Sequence, residues 1–539
     1  MDIRRIKTVC TTSMLLIASF VGGCGEPTQR SESELAAEID LGTTIGAVAE
    51  VFLPESIPVE GYGLVGGLRE TGSSECPPQI RAYFQQYILA KTPELDVEKL
   101  IGSRDTAVVL LRGTMPTAVS KNRYFDVSVS PLSGTQTTSL EGGWLYGAEL
   151  KASRGLGRML KTLAIVEGPV FIDTLSPSGT NKKEGYILAG GRVLDEYKIN
   201  LALRRPDYRV ARSIRDKLNE RFGRDTAKAV SAGQVELKVP AEYEDQKQRF
   251  ISIIRAIYLN QTEEVTKERI STFVRKLATS EDKYESEVAL EAIGNESISK
   301  LATLLNLSDE QVRLGAARCM LNLGSDEGLE TLRQIARDKS SSYRVEALEA
   351  ITAGARRNDA AAISRRLLRD DDFEIRLAAY EQLRKLDDIA ITQRVIARSF
   401  YLEQITQTEH KGIFVSRSGQ PRIVIFGAPI YCRDNIFIQS ADSNITINAP
   451  AGQKYVSIIR KHPKRPNIPP IKLRSSFKLS DIIRTLCEEP LKRTSQERRG
   501  LGISYAEAIA LLKQMSDKGA VQAEFRAGPI PKSDLIIKK

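Results

Sequence analysis

Histidine and tryptophan are nearly absent from this chain of 539 residues, which holds only His410, His462 and Trp144 of these two types. Two isolated histidines exclude a His-rich metal centre or several His-based catalytic sites. No H-E-x-x-H, G-x-S-x-G or Walker A pattern occurs, so neither a catalytic constellation nor a cofactor site is expected. The six cysteines form no C-x-x-C, which removes zinc knuckles and thioredoxin-type sites. Aromatics are lean at 6%, and the most apolar run, Met14–Val21, is far shorter than the roughly 20 residues of a spanning helix. A polytopic membrane protein is thereby excluded, and 41% apolar residues exclude a disordered or collagenous chain. Charge is also nearly balanced: 78 Lys+Arg against 68 Asp+Glu leave +10, an excess that permits nucleic-acid binding without implying it.

What is present begins with length, enough for about three domains at roughly 150 residues each. Residues 1–24 read as an export signal. Arg4, Arg5 and Lys7 form a positive start, Met14–Val21 is the apolar core, and Gly22-Gly23 precede Cys24. Val21-Gly22-Gly23-Cys24 resembles a bacterial lipobox, which implies a lipid-modified Cys24 as the first mature residue. A signal peptide with an incidental cysteine is the alternative. Cleavage would remove Asp2, Arg4, Arg5 and Lys7 and leave a charge near +8. Gly25, where an inner-membrane retention signal would carry Asp, points to the outer membrane. Residues 24–40 are polar and suit a tether. In an exported chain Cys76, Cys319, Cys432 and Cys487 have three pairing schemes open to them.

Three blocks follow. Residues 41–260 mix strands and helices. Phe125, Val127 and Val129 alternate with Asp126, Ser128 and Ser130, the period of a half-buried strand. Ala107–Leu111 and Tyr186–Ala189 read as buried strands. Ile80, Phe84, Tyr87 and Ile88 share a helix face after Pro77-Pro78, and Ile214, Leu218 and Phe222 share another. Residues 261–400 are helical and repetitive. Arg313, Arg344 and Arg376 recur at intervals of 31 and 32 residues, with Ala316, Ala347 and Ala379 at one fixed offset and Met320, Ile351 and Leu383 at another. Units of this length stack because no single hairpin can bury its own apolar face. They resemble short HEAT-like repeats of the kind found in phycobilin-lyase relatives, with a degenerate unit around Val288–Ile293. The resemblance implies an interaction platform; a plain helical spacer is the alternative. Residues 401–539 return to strands, Arg422–Phe426, Asn444–Asn448 and Ala520–Phe525, with helices over Leu479–Leu486 and Tyr505–Met515. The fold class expected is α+β, interrupted by an all-α insertion.

Two motifs need weighing. Gly61-Tyr-Gly-Leu-Val-Gly66 matches G-x-G-x-x-G literally, but Pro54 and Pro58 break the strand before it and the glycines run on through Gly67 and Gly72. A dinucleotide site is therefore excluded, and glycine-enabled turns with close backbone packing are expected. Lys461, Lys464 and Arg465, with Lys472, form a basic run in a proline-rich loop. It is either a contact for an anionic polymer or acidic partner face, or a solvated loop. Without interleaved aromatics, and in an exported chain, it is not a nucleic-acid site.

Both flanking blocks resemble the bacterial flagellar P-ring protein family. The likeness is carried by Gly61–Gly72, by Tyr124–Ser130 followed by Ser139–Tyr146, and by Asn200–Tyr208 through the Val210–Phe222 helix to Val235–Pro240. In the last block Lys478–Arg484, Tyr505–Leu512 and Lys518–Glu524 follow in the family's order. The resemblance implies a non-catalytic, exported subunit without cofactors. Such subunits close a homo-oligomeric ring around the flagellar rod, in the periplasm at the peptidoglycan layer, beside the L-ring. Two departures stand out: the lipid-anchor signal at Cys24, which would tie the chain to a membrane, and the helical insertion. An envelope lipoprotein scaffold or adaptor outside the flagellum is the alternative function.

Overall fold

The computed structural model describes residues 41–52, 56–91, 96–116, 122–153, 161–177, 179–194, 198–244, 246–260, 262–462, 467–489 and 500–531. Cys24, Lys464 and Arg465 lie outside these residues. Among the described residues no helix is long and apolar enough to cross a membrane.

Six strands close a barrel in the order Ser56–Gly66, Thr106–Pro116, Tyr124–Pro131, Gly185–Val193, Thr162–Pro169, Trp144–Ala152. The alternation expected at Phe125, Val127 and Val129 points these side chains inward, beside Val109, Leu111, Leu150 and Val166. Closure removes the edges that an open sheet would expose. The glycine-rich segment departs from expectation, because it is one continuous strand and not a series of turns. Pro58 sits near the strand's start, where a missing N–H is tolerated, and its carbonyl accepts the Ser153 N–H at 3.0 Å. Close packing does explain Gly61: a Cβ there would stand 2.2 Å from the Glu149 carbonyl oxygen of the neighbouring strand. Outside the barrel, the Pro78–Lys91 helix lays Phe84 over Leu64 and Val108.

A separate four-stranded antiparallel sheet runs Ala49–Phe52, Ile199–Leu203, Gln234–Leu237, Ala227–Ser231. The Tyr208–Phe222 helix starts where the Asp207 carboxylate caps Arg209 N and Val210 N, and it stops at Gly223, whose φ of +97° suits a residue without Cβ. Its Ala211, Ile214 and Leu218 pack on this sheet together with Phe250, Ile253 and Ile254 of the Lys247–Ala256 helix.

Paired helices then stack from Glu263–Thr279 to Phe373–Lys385. Both ends of the stack are built into neighbouring cores. Val288 and Ala292 of its Tyr284–Ile293 helix join the core of the four-stranded sheet. At the far end, Phe373 and Tyr380 meet Phe426 edge-on, with ring centroids 5.5 and 5.7 Å away. Strand structure resumes at Ile391, before residue 401; the Ile391–Ile396 strand is mostly exposed and carries no apolar alternation, so the residues do not mark it.

The C-terminal region has a five-stranded mixed sheet, ordered Ile391–Ile396, Phe400–Ile405, Arg422–Phe426, Gly412–Val415, Glu524–Ala527. Ile423 and Ile425 face one core while Val424 and Phe426 face the stack. The strand is buried on both sides, which is why it reads as a continuous apolar run. A four-stranded antiparallel sheet, Ile436–Gln439 through Ile471–Ser475, shares the first of those cores with helices Leu479–Cys487 and Tyr505–Asp517. The last strand begins at Glu524, later than expected, since Val521 makes only an isolated bridge to Cys432.

Candidate functional site

The repeat arginines are structural clasps. Arg313 Nη1 donates to the carbonyls of Leu307 and Ser308 at 2.7 and 3.0 Å, and Arg376 Nη1 to those of Asp370 and Asp371, both at 2.7 Å. Each guanidinium therefore satisfies carbonyls in the turn before its own helix, which would otherwise be left without partners. Arg344 varies the theme, with Nε on the Ala336 carbonyl at 3.2 Å and an ion pair to Asp370 of the following unit. Burial would raise the Asp370 carboxyl, but Arg344, the Asp372 N–H and Lys339 together hold that group below its ordinary value.

Sequence reasoning missed a buried charged cluster, which lies where the stack meets the helices that cover the first four-stranded sheet. Arg249 projects from the Lys247–Ala256 helix between Glu287 and Glu291, one turn apart on the Tyr284–Ile293 helix of the stack. Arg318 on the Glu310–Asn322 helix grips Glu287 with both arms, Nε to Oε1 at 2.7 Å and Nη2 to Oε2 at 2.6 Å. Asn322 donates to Glu291 Oε2 at 3.2 Å, and Arg221 Nη2 donates to the Glu291 carbonyl at 2.9 Å. Desolvation would push the Glu287 carboxyl up, yet Arg249 and Arg318 prevail and hold it below its ordinary value. The same burial pushes the neighbouring Cys319 thiol far up, leaving it inert. The signal was present in the sequence: Glu287 and Arg318 stand 31 residues apart, one repeat interval.

A second joint ties the barrel to the C-terminal region. The Asp126 carboxylate accepts the N–H of Ala189 at 2.7 Å and of Gly419 at 2.8 Å. Arg417 pairs with Asp173 at 3.1 Å and donates Nε–H to the Gly528 carbonyl at 2.7 Å. Phe171 of the barrel leans on Tyr505, whose hydroxyl donates to the carbonyls of Ser416 and Arg422. Beside the first joint lies an open cavity of about 980 Å³, bordered by Arg123, Tyr124 of the barrel, Arg249, Arg318, Glu349 and Lys385. Charges of both signs line it.

Of the expected partner contact, Lys461 is exposed at the end of the Val456–Arg460 strand, its N–H bonded to the Asn444 carbonyl at 2.8 Å. The exposed Lys472 lies on the adjacent strand, opposite Ile459. His410 is exposed, 3.2 Å from Asp371, and His462 is exposed at the start of the proline-rich loop. Cys76, Cys319, Cys432 and Cys487 all stand as free thiols. Among the described residues no three His, Cys, Asp or Glu side chains gather as a metal site. The arrangement offers joints and surfaces.

Residues 45–274 match the family model described as Flagellar P-ring protein, which bears out that resemblance over the barrel, the first four-stranded sheet and the opening helix of the stack. The Flagellar P-ring protein of Thermotoga maritima is 28% identical over 211 residues, 36% of this chain and 61% of that protein. Flagellar P-ring protein 1 of Hahella chejuensis is 31% identical over 207 residues, 34% of this chain and 52% of that protein. That of Anaeromyxobacter sp. strain K is 29% identical over 235 residues, 40% of this chain and 60% of that protein. The chain thus spans between half and about three-fifths of the length of these curated relatives.

Proposed function

Taking residues 45–274 as a region of the flagellar P-ring family, we propose that the chain is a structural, non-catalytic subunit of the basal-body P-ring. It assembles with copies of itself as a bushing around the rod in the periplasm. The observation that carries this reading is the coincidence of the matched region with a closed barrel and a helix-covered sheet, each with its own core. Assembly in such a ring works by many modest contacts multiplied through closure. The rod, the L-ring and the peptidoglycan layer are the partners of this reading. The likeness in Lys478–Glu524 extends it to the C-terminal region, beyond the family match.

Electron microscopy of basal bodies purified from a knockout tests it. The ring is expected to vanish and to return on complementation; an intact ring in the knockout would sink the reading. Attachment to the outer membrane through lipid on Cys24 is a separate part of the proposal. Globomycin treatment should accumulate unprocessed precursor if Cys24 is the cleavage point, and normal processing would refute it.

A further inference from the structure

The four-stranded sheet in the matched region ends on two open strands, Ala49–Phe52 and Ala227–Ser231, and no other described strand pairs with the far side of either. All three pairings within it are antiparallel. Four alternating strands leave the outermost two running in opposite directions. A second copy in the same orientation would therefore add its Ala49–Phe52 antiparallel to Ala227–Ser231 of the first. The five-stranded C-terminal sheet lacks this property, because two of its pairings are parallel and its outer strands run the same way.

The side chains agree. Helices cover one face of the sheet, and on the other face Glu50 and Phe52 mark one edge while Lys228 and Val230 mark the other. Phe52 is 59% and Val230 50% exposed, large apolar groups on edge strands that proteins ordinarily protect. The charges are opposite. Val230 is the extra residue of a bulge, since Ser231 faces Gln234 while Ala229 faces Val235, so the alternation is regular only as far as Ala229; Lys228 and Val230 are nonetheless both exposed at this edge, as Glu50 and Phe52 are at the other. Glu50 already lies 3.6 Å from Arg204, but that pair is exposed on both sides and contributes little. Asn219 bonds both the N–H and the carbonyl of Ala227, so pairing is confined to Lys228–Ser231.

We infer that copies of this chain join head to tail by strand addition, Lys228–Ser231 of one copy onto Ala49–Phe52 of the next. The contact is heterologous and short, so it holds only when repeated around a closed ring. The inference rests on the ring reading above. Its test uses the full-length chain in its own host, with Phe52→Cys and Val230→Cys combined and a bis-maleimide of about 8 Å span, which covers direct and diagonal positions of an antiparallel pair. The double variant is expected to give a multimer ladder; the wild type and each single variant give none. Phe52 and Val230 come within the linker's reach together with Glu50 and Lys228 when Lys228 faces Phe52, which makes the charge pair a diagonal one; Glu50→Lys or Lys228→Glu alone should then lower the ladder roughly twofold, and the two together should restore it. Rings in basal-body micrographs without a ladder would overturn strand addition and leave the ring reading standing. A ladder without such rings would support strand addition and remove the flagellar reading. Neither ladder nor rings would remove both.

Discussion

Glu287 shows how much depends on one buried carboxylate. It is held between Arg249 and Arg318 with its side chain 3% exposed. Removing one partner of such a cluster leaves uncompensated charge in the interior, so Glu287→Gln is expected to cost about 3–5 kcal/mol at neutral pH. The acid dependence has a definite sign. The folded-state carboxyl lies below its ordinary value. Its stabilisation is therefore fully present above the unfolded value of about 4.3 and is lost as pH falls through the lower folded one. Denaturation curves of wild type and Glu287→Gln should differ at neutral pH and converge in strong acid; a constant gap would refute this. Gly61 offers a steric counterpart. Gly61→Ala must displace the Glu149 backbone, and a loss of about 1–3 kcal/mol is expected in thermal melts.

The stack depends on how its turns are tied. Arg313 and Arg376 each bind two backbone carbonyls, so Arg313→Ala or Arg376→Ala should destabilise by about 1.5–3 kcal/mol. Hydrogen exchange should then quicken first in the turn before the altered helix. Much of this was legible in the residues. The recurrence of Arg313, Arg344 and Arg376 gave the stack, and the alternation at Phe125, Val127 and Val129 gave a strand. What could not be read has physical causes. Ile391–Ile396 is a largely exposed strand, so no buried face imprinted a period on it. Gly61–Gly66 lies in a strand whose glycines answer to a neighbour brought close by barrel closure, and the chain does not announce that neighbour locally. Arg249's place in the ion cluster hides for the same reason, since it meets Glu287 and Glu291 only across a tertiary contact, although the Glu287–Arg318 pair follows the repeat interval.

The molecule as a whole does not divide where its sequence pattern changes. Val288 and Ala292 belong to the core of the preceding sheet, and Phe373 and Tyr380 to that of the following one. Excising residues 285–388 would therefore open both cores, so an insoluble product is expected and not a trimmed ring. Residues 43–539 should unfold in one calorimetric transition, because the regions share cores and charged joints. Two well-separated transitions would contradict that.

The two joints give the helical stack a mechanical character. A free solenoid changes curvature by small rotations summed along its repeats. Here both ends are gripped, at Arg249–Glu287–Arg318 and around Phe426. The far end returns to the barrel through Asp126 and Arg417. A twist imposed on one end must be shared over every hairpin between, so the stack behaves as a clamped spring. In the ring proposed above, such a spring would absorb torque as a slight bending of many helices, sparing any single contact.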